Sequence, residues 1–292
     1  MSMGEVAAPV PSTPPGIRGA IRKYWNIVRV SLIERMAYRG DFFLATFLRF
    51  LPMVTTILLW SAIYAGANKE SLSGGGRASY TYREMIAYLL LVHISRMFSS
   101  MPGLSTGIAR DIRDGSLKKY LLQPLDMTGY LLAYRVAHKM AYIATSCFPY
   151  ALLFFLCRGF FEGLPDPGTF ALYVVSLLLG FVVGFFFETC MGMVGFWLLE
   201  VTSLLYVVNT INFFVSGHMF PLDLLPGPWP ALLKALPFHY LAYFPAAVFL
   251  GKVSGPELWQ GLAIEVCWAI GLILLSRWLY ARGLRRYSAY GG

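Results

Sequence analysis

The sequence predicts an all-α, polytopic membrane protein with six transmembrane helices and both termini on the cytoplasmic side. Three observations carry this prediction. Residues 170–187 read FALYVVSLLLGFVVGFFF, 18 positions without a charge; 201–217 are again uncharged, and 259–276 carry only Glu265. Runs of this length can cross the roughly 30 Å hydrocarbon core as helices. The composition agrees, with 57% hydrophobic and 13% charged residues, where a soluble domain averages about 25% charged. The third observation is the placement of the basic residues. Spans at 42–64, 83–101, 140–157, 170–198, 201–217 and 258–277 leave 16 of the 24 Lys and Arg residues in 1–40, 102–139 and the tail from 277. The positive-inside rule assigns those segments to the cytoplasm. The net charge of +9 therefore reports topology and not nucleic-acid binding.

Residues 1–16 (MSMGEVAAPVPSTPPG) are small and Pro-rich without an apolar core, which predicts a disordered cytoplasmic tail and not a cleavable signal peptide. Over 17–40, Ile21, Trp25, Val28, Leu32 and Met36 recur at three- and four-residue steps, while Arg22, Lys23, Arg29 and Arg35 supply charge. The pattern fits an elbow helix at the membrane interface, or a basic helix packed on the protein's own cytoplasmic face. The membrane domain is expected over 41–281. Its first span contains Arg49, which must snorkel, pair or face a cavity. A flexible outer loop follows over 66–82. The second span carries His93 and Arg96 and ends at Met101-Pro102-Gly103, where a helix breaks or kinks.

The loop 102–126 is the most informative polar stretch. Ile108, Ile112 and Leu117 alternate with Arg110, Asp111, Arg113, Asp114, Lys118 and Lys119. This predicts a short amphipathic helix that either docks a soluble partner or simply holds orientation. Arg135, His138 and Lys139 belong to a cytoplasmic extension of the third span. Glu188 needs a partner, a proton or a polar cavity, with Arg49 or Arg96 as the preferred partner and a transport role as the alternative. Gly180, Gly184, Gly192 and Gly195 allow close helix approach. Over 218–252 six prolines (221, 226, 228, 230, 237, 245) forbid one straight helix. An outer re-entrant hairpin of two short helices, about 229–235 and 240–250, is expected, with Trp229, His239, Tyr240 and Tyr243 as interfacial anchors. Arg277, Arg282, Arg285 and Arg286 then anchor the last span before a cytoplasmic tail, 282–292.

Several chemistries lack their motifs. The sequence contains no GxxxxGK[ST], HExxH or TVGYG-like stretch, and its four cysteines show no CxxC or Cys/His spacing. No catalytic, cofactor-binding or metal-binding residues are therefore assigned. An intramembrane lipid-modifying enzyme would need a cluster at one face, for which only His218, Asp223 and His239 offer themselves.

Three segments carry a resemblance: ARDIRDGSLKKYLLQPLD at 109–126, SGHMFPLDLLPGPWPALLKALPFHYLAYFPAAVFLGK at 216–252, and LYARGLRRYSAYGG at the C-terminus. Together they resemble the membrane subunit of ABC-2 type transporters, in its little-characterised bacterial permease branch. Gly115, Ser116, Leu117, Leu121, Leu122 and Pro124 fill a GSLxxxLLxP pattern, and Gly217, Pro221, Pro237 and Pro245 fill the hairpin pattern. The resemblance implies a permease of the bacterial cytoplasmic membrane, paired with an identical or related permease and driven by two separate cytoplasmic ATPase subunits that bind ATP and Mg²⁺. It implies export of an amphipathic or hydrophobic substrate. Arg110, Asp111, Arg113 and Asp114 are then expected to meet the ATPase, supported by Arg22 and Arg29, while Arg49, His93, Arg96 and Glu188 make polar contacts inside the membrane. Membrane lipids, and no nucleic acid, complete the expected partners. A scaffold or sensing subunit that binds an ATPase without conducting substrate is the alternative.

Overall fold

A computed structural model describes residues 17–37, 39–68, 70–73, 79–122, 126–198 and 200–287. The expected tail 1–16, the glycine triplet 74–76 and residues 288–292 lie outside them. The order is α1 (Ile17–Ala37), α2 (Arg39–Ala67), a hairpin of β1 (Ser71–Ser73) and β2 (Ser79–Thr81), then α3 (Tyr82–Ser99), α4 (Leu104–Arg113), α5 (Lys118–Leu121), α6 (Met127–Leu156) and α7 (Pro167–Met193). There follow α8 (Thr202–Val215), α9 (Trp229–Lys234), α10 (Tyr243–Phe249) and α11 (Gly255–Leu284). Four helical runs among the described residues are long and apolar enough to cross a membrane: Tyr82–Arg113, Met127–Leu156, Pro167–Phe196 and Gly255–Leu284.

This corrects the expected six spans. Among the described residues, the regions assigned to the first and fifth contribute only the shorter apolar stretches Met53–Ala67 and Thr202–Val215. The 14 residues of α8 rise about 21 Å at 1.5 Å per residue, short of the hydrocarbon core. An uncharged run sets only an upper limit on helix length. Here the 3-10 turn Val194–Phe196 and the positive φ of Gly217 bound the run on either side.

The central element is α7, which packs against α3, α4, α10 and α11. Its glycines, with Gly195 in the 3-10 turn that follows it, permit this. A Cβ on Gly184 would stand 2.1 Å from the Ser99 carbonyl oxygen, one on Gly192 2.8 Å from that of Ser105, and one on Gly195 3.1 Å from the Cα of Ala109. Along another face, Ser176 donates to Glu265 at 3.0 Å, Cys190 approaches the Leu272 carbonyl, and the Phe196 ring covers Gly283. These contacts make α7 and α11 parallel. The start of α6 is N-capped by Asp126, which accepts from the Gly129 amide at 2.7 Å and pairs with Arg277 at 2.6 Å. One end of the bundle therefore gathers α5, the start of α6 and the last turns of α7 and α11. It carries Arg110, Arg113, Lys118, Lys119, Arg277, Arg282, Arg285 and Arg286, and is called the basic end below.

Two further expectations change. α1 packs along α6, with the Tyr24 hydroxyl 2.7 Å from where a Gly129 Cβ would sit. Of the stripe read as an interfacial elbow, Trp25 is 62% exposed but Val28 and Leu32 are half-buried. A 3.6-residue period cannot distinguish lipid from a neighbouring helix, and here α6 covers part of the stripe. The loop 102–126 is likewise no free-standing coupling element: α4 lies in the protein body against α7, burying Leu104, Ile108, Ala109 and Ile112.

The expected re-entrant hairpin is also corrected. Residues 218–252 form the 3-10 turns Leu222–Leu224 and Pro237–Leu241 and the short helices α9 and α10. Residues 239–248 are all buried, packed on α3 and α7. Of the four expected anchors only Trp229, 54% exposed, faces outward; His239, Tyr240 and Tyr243 are core residues. The prolines break the segment as expected, but protein, not lipid, surrounds its second half.

Gly184→Ala is expected to cost about 1–3 kcal/mol by overpacking, despite alanine's better helix propensity. Gly271 has open space around it, so Gly271→Ala is expected to be neutral or slightly stabilising. Unfolding temperatures of the two variants in the same detergent check the difference.

Candidate functional site

The polar centre of the protein sits where α3 breaks and α4 begins. Met101-Pro102-Gly103 interrupts the helix, with Gly103 at φ 72°, so two sets of backbone groups lose their intrahelical partners. Each receives a charge of the sign its helix end favours. The buried Lys139 of α6 donates to the carbonyls of Met97 and, at 2.6 Å, Ser100, at the negative end of α3. Gly103 supplies no side-chain cap to α4. Glu188 of α7 supplies one instead, accepting from the amide and hydroxyl of Ser105. The Ser99 hydroxyl donates to the Leu241 carbonyl at 2.7 Å, joining the break to the second half of the 216–252 segment.

Around this junction lie most of the expected intramembrane polar residues. Glu188 interacts electrostatically with Arg96 and Arg135, although no ion pair within 4 Å joins it to either among the described residues. The expected Glu188–Arg96 partnership is therefore a longer-range one, and the direct contact is Ser105. His93, one turn before Arg96, directs Nδ1 at the Leu89 carbonyl at 3.0 Å. A carbonyl only accepts, so that nitrogen carries the proton. Its ring lies 5.7 Å from that of His218, which also approaches the Phe213 ring at 4.5 Å. Two buried atoms without a hydrogen-bond partner among the described residues, His218 Nδ1 and Asn212 Oδ1, occur beside it at the end of α8. The result is a mixed-charge cluster at membrane depth next to α8, whose own surface is largely uncovered (Tyr206 is 72% exposed). Arg49 belongs to α2, but its side chain lies outside the described residues.

At the basic end, the residues expected to meet a soluble partner separate into two kinds. Arg110 is exposed with no ion-pair partner among the described residues. Arg113 is exposed but shared between Asp114 at 3.2 Å and Glu200 at 3.7 Å. Asp111 is engaged internally, pairing with Lys119 at 2.8 Å and accepting from Tyr120 at 3.3 Å. Burial alone would lower the Lys119 pKa, but the Asp111 carboxylate overrides it and holds the ammonium above its usual value. Burial and then the same carboxylate push Tyr120 upward. Arg22 and Arg29 are exposed on α1, whose main packing partner is α6, whereas α4 rests on α7.

The three residues considered for an enzyme do not form one site. His218 faces His93, and His239 donates to the Leu236 carbonyl at 2.8 Å. Asp223 is held by Lys234 at 2.5 Å and by the hydroxyls of Tyr80 at 3.2 Å and Tyr243. Among the described residues no group of three or more His, Cys, Asp or Glu is placed to hold a metal.

Sequence reasoning missed Lys139 as a cap, Ser105 as the partner of Glu188, and His218 as the neighbour of His93. One signal was available: Gly180, Gly184, Glu188 and Gly192 follow one another at four-residue steps, which places the carboxylate on the glycine face. Nothing local marks Lys139, whose partners lie 39 and 42 positions away.

Residues 50–291 match a protein family described as ABC-2 family transporter protein. The chain belongs to this family and is a polytopic membrane protein of the ABC-2 permease type. No curated protein matches it significantly.

Lys139→Met should leave the carbonyls at the end of α3 without their cation and lower stability by about 1–3 kcal/mol. Glu188→Gln, which still offers an oxygen to the Ser105 amide, should be tolerated better than Glu188→Ala. Equal losses for the two Glu188 variants, read as unfolding temperature, would show that charge and not capping dominates at this position.

Proposed function

We infer that this ABC-2 family member is the permease subunit of an ATP-driven transporter, moving an amphipathic or hydrophobic substrate outward across a bacterial cytoplasmic membrane. Family membership over residues 50–291 is the observation that carries this reading. ATP and Mg²⁺ are bound by two separate ATPase subunits, and a second permease chain, identical or related, completes the pathway.

The packing supports a route for the coupling. α4 presents Arg110 and Arg113 outward and seats Ile108 and Ala109 on Gly192 and Gly195. A push on the exposed face of α4 passes directly to α7, because backbone in contact with backbone has no flexible side chain to absorb it. The same displacement reaches α3 through Ser99 and Gly184. The cluster of His93, Arg96, Glu188 and His218 then lies where a change in the α3–α4 angle is felt. It is the place for polar contacts with the substrate or between protomers. The basic end faces the cytoplasm in this reading, in keeping with the distribution of Lys and Arg.

Tagged purification from the native membrane, with identification of every co-purifying chain and an assay of ATP hydrolysis, tests the proposal. A Walker-motif subunit and substrate-stimulated hydrolysis are expected. A chain recovered with an ATPase that no candidate substrate stimulates would favour the scaffold reading.

Arg110→Glu is expected to reduce ATPase recovery more than Arg113→Glu, because Arg113 is already paired with Asp114 and Glu200, whereas Arg110 has no ion pair among the described residues. Unchanged recovery in the double variant would remove α4 from the interface. Cysteines at Ser116 and Leu164 should label from opposite sides of the membrane, with position 116 reacting only after permeabilisation. Labelling of both from outside would refute the sidedness.

A further inference from the structure

At the basic end, the last turn of α11 and the turn after α7 enclose an open cleft of about 770 Å³, lined by Trp197, Trp278, Leu279, Arg282, Arg285 and Arg286. None of the three arginines has a carboxylate within 4 Å among the described residues, whereas Arg277, just before them, is paired with Asp126. Glu200, three residues from Trp197, accepts instead from the Thr202 amide at 2.7 Å and faces Arg113. Three guanidinium groups on one small cleft repel one another unless an anion enters. Their planar donor pattern matches the paired oxygens of a phosphate. Arg282 also lies 5.6 Å from the Trp278 ring centroid, which orients it along the cleft wall.

The surface leading to the cleft identifies the kind of anion. Val266, Ile270, Leu274 and Trp278 follow at four-residue steps on α11 and are all exposed, Leu274 by 64%. Arg282 is the next step of the same row. From Val266 to Trp278 the helix rises about 18 Å at 1.5 Å per residue, close to half of the roughly 30 Å hydrocarbon core. This i+4 ridge, which turns by about 40° round the helix at each step, thus offers an apolar wall one leaflet deep, an interfacial tryptophan and then a cationic cleft. An acidic protein segment would use the arginines but not the row beneath them. We propose that this cleft binds the phosphate of an anionic glycerophospholipid, with an acyl chain lying along the Val266–Trp278 row. A headgroup without an ammonium suits it best, because a zwitterionic headgroup would bring a fourth cation beside the three arginines.

The test uses the full-length chain, purified with whatever subunits accompany it, and follows its unfolding temperature as phosphatidylglycerol, phosphatidylcholine or glycerol 3-phosphate is titrated in. Phosphatidylglycerol is expected to act at a concentration at least tenfold lower than phosphatidylcholine, and glycerol 3-phosphate to have no effect. The variant R282Q/R285Q/R286Q should lose that preference, while R83Q/R158Q at the opposite end should keep it. The proposal is overturned by an absent preference in the natural sequence, by its survival in the triple variant, or by its loss in both variants. Equal stabilisation by glycerol 3-phosphate would overturn the lipid assignment in favour of a soluble phosphate. Loss of a co-purifying subunit from the triple variant with lipid preference intact would give the cleft to a protein partner. If the triple variant does not fold, a photoactivatable phosphatidylglycerol on the natural sequence decides. Adducts concentrated at Trp197 and residues 278–286 support the site, and adducts spread equally over both ends of the bundle refute it.

Discussion

The contact on which the rest of the structure depends is backbone against backbone, where Gly184 of α7 meets the Ser99 carbonyl at the end of α3. No side chain larger than hydrogen fits there. Because α3 ends against α7 at that point, α4 can begin on the same helix one turn further along and settle on Gly192 and Gly195. The break between them would be costly inside a membrane, where free carbonyls and amides find no water. Lys139 and Glu188 meet that cost with opposite charges, each at the helix end whose dipole favours it. Two residues that look expensive in an apolar sequence are therefore what lets an otherwise continuous helix change direction.

The opposite end of the bundle solves a similar problem with tyrosines. Asp223 is buried, and it accepts from Tyr80 and Tyr243 while Lys234 balances its charge. The Tyr88 hydroxyl donates to the Gly217 carbonyl at 2.5 Å, and the Tyr64 hydroxyl to that of Tyr80 at 2.7 Å. These bonds tie the β1–β2 hairpin, α2, α3 and the 216–252 segment into one unit. Each phenol contributes a large apolar ring to the core and a hydroxyl to an otherwise unsatisfied acceptor. This accounts for how a proline-broken segment with short helices stays buried. Glu84 and Lys252, paired at 2.5 Å, close the rim: Glu84 completes a capping box with Thr81, and Lys252 also donates to the Ser79 carbonyl.

The two ends fit different tasks. Interlocked hydroxyls and short helices make the hairpin end a rigid platform. The basic end exposes Arg110 and the arginines of α11, on helices whose opposite faces are keyed into α7. The backbone contact of α4 with α7 lies beside the cluster of His93, Arg96 and Glu188, whereas the Asp223 network adjoins α3 and, through Tyr243 of α10, the other end of α7.

The sequence by itself determined the class and the family, since these rest on properties that accumulate along the chain: long uncharged runs and three family-like segments. It also located the helix break at Met101–Gly103 and the close-approach glycines, because proline and glycine act locally. The number of full spans, the burial of residues 239–248 and the packing of α1 on α6 were decided only in the tertiary structure. An apolar residue reads the same whether lipid or protein covers it, so Tyr240 and Tyr243 passed for interfacial anchors and α8 for a complete span. Polar partners were hidden for a related reason. Lys139 with Ser100, Glu188 with Ser105 and Asp223 with Tyr80 are all distant in sequence, and chain folding alone brings their charges and dipoles within hydrogen-bond reach.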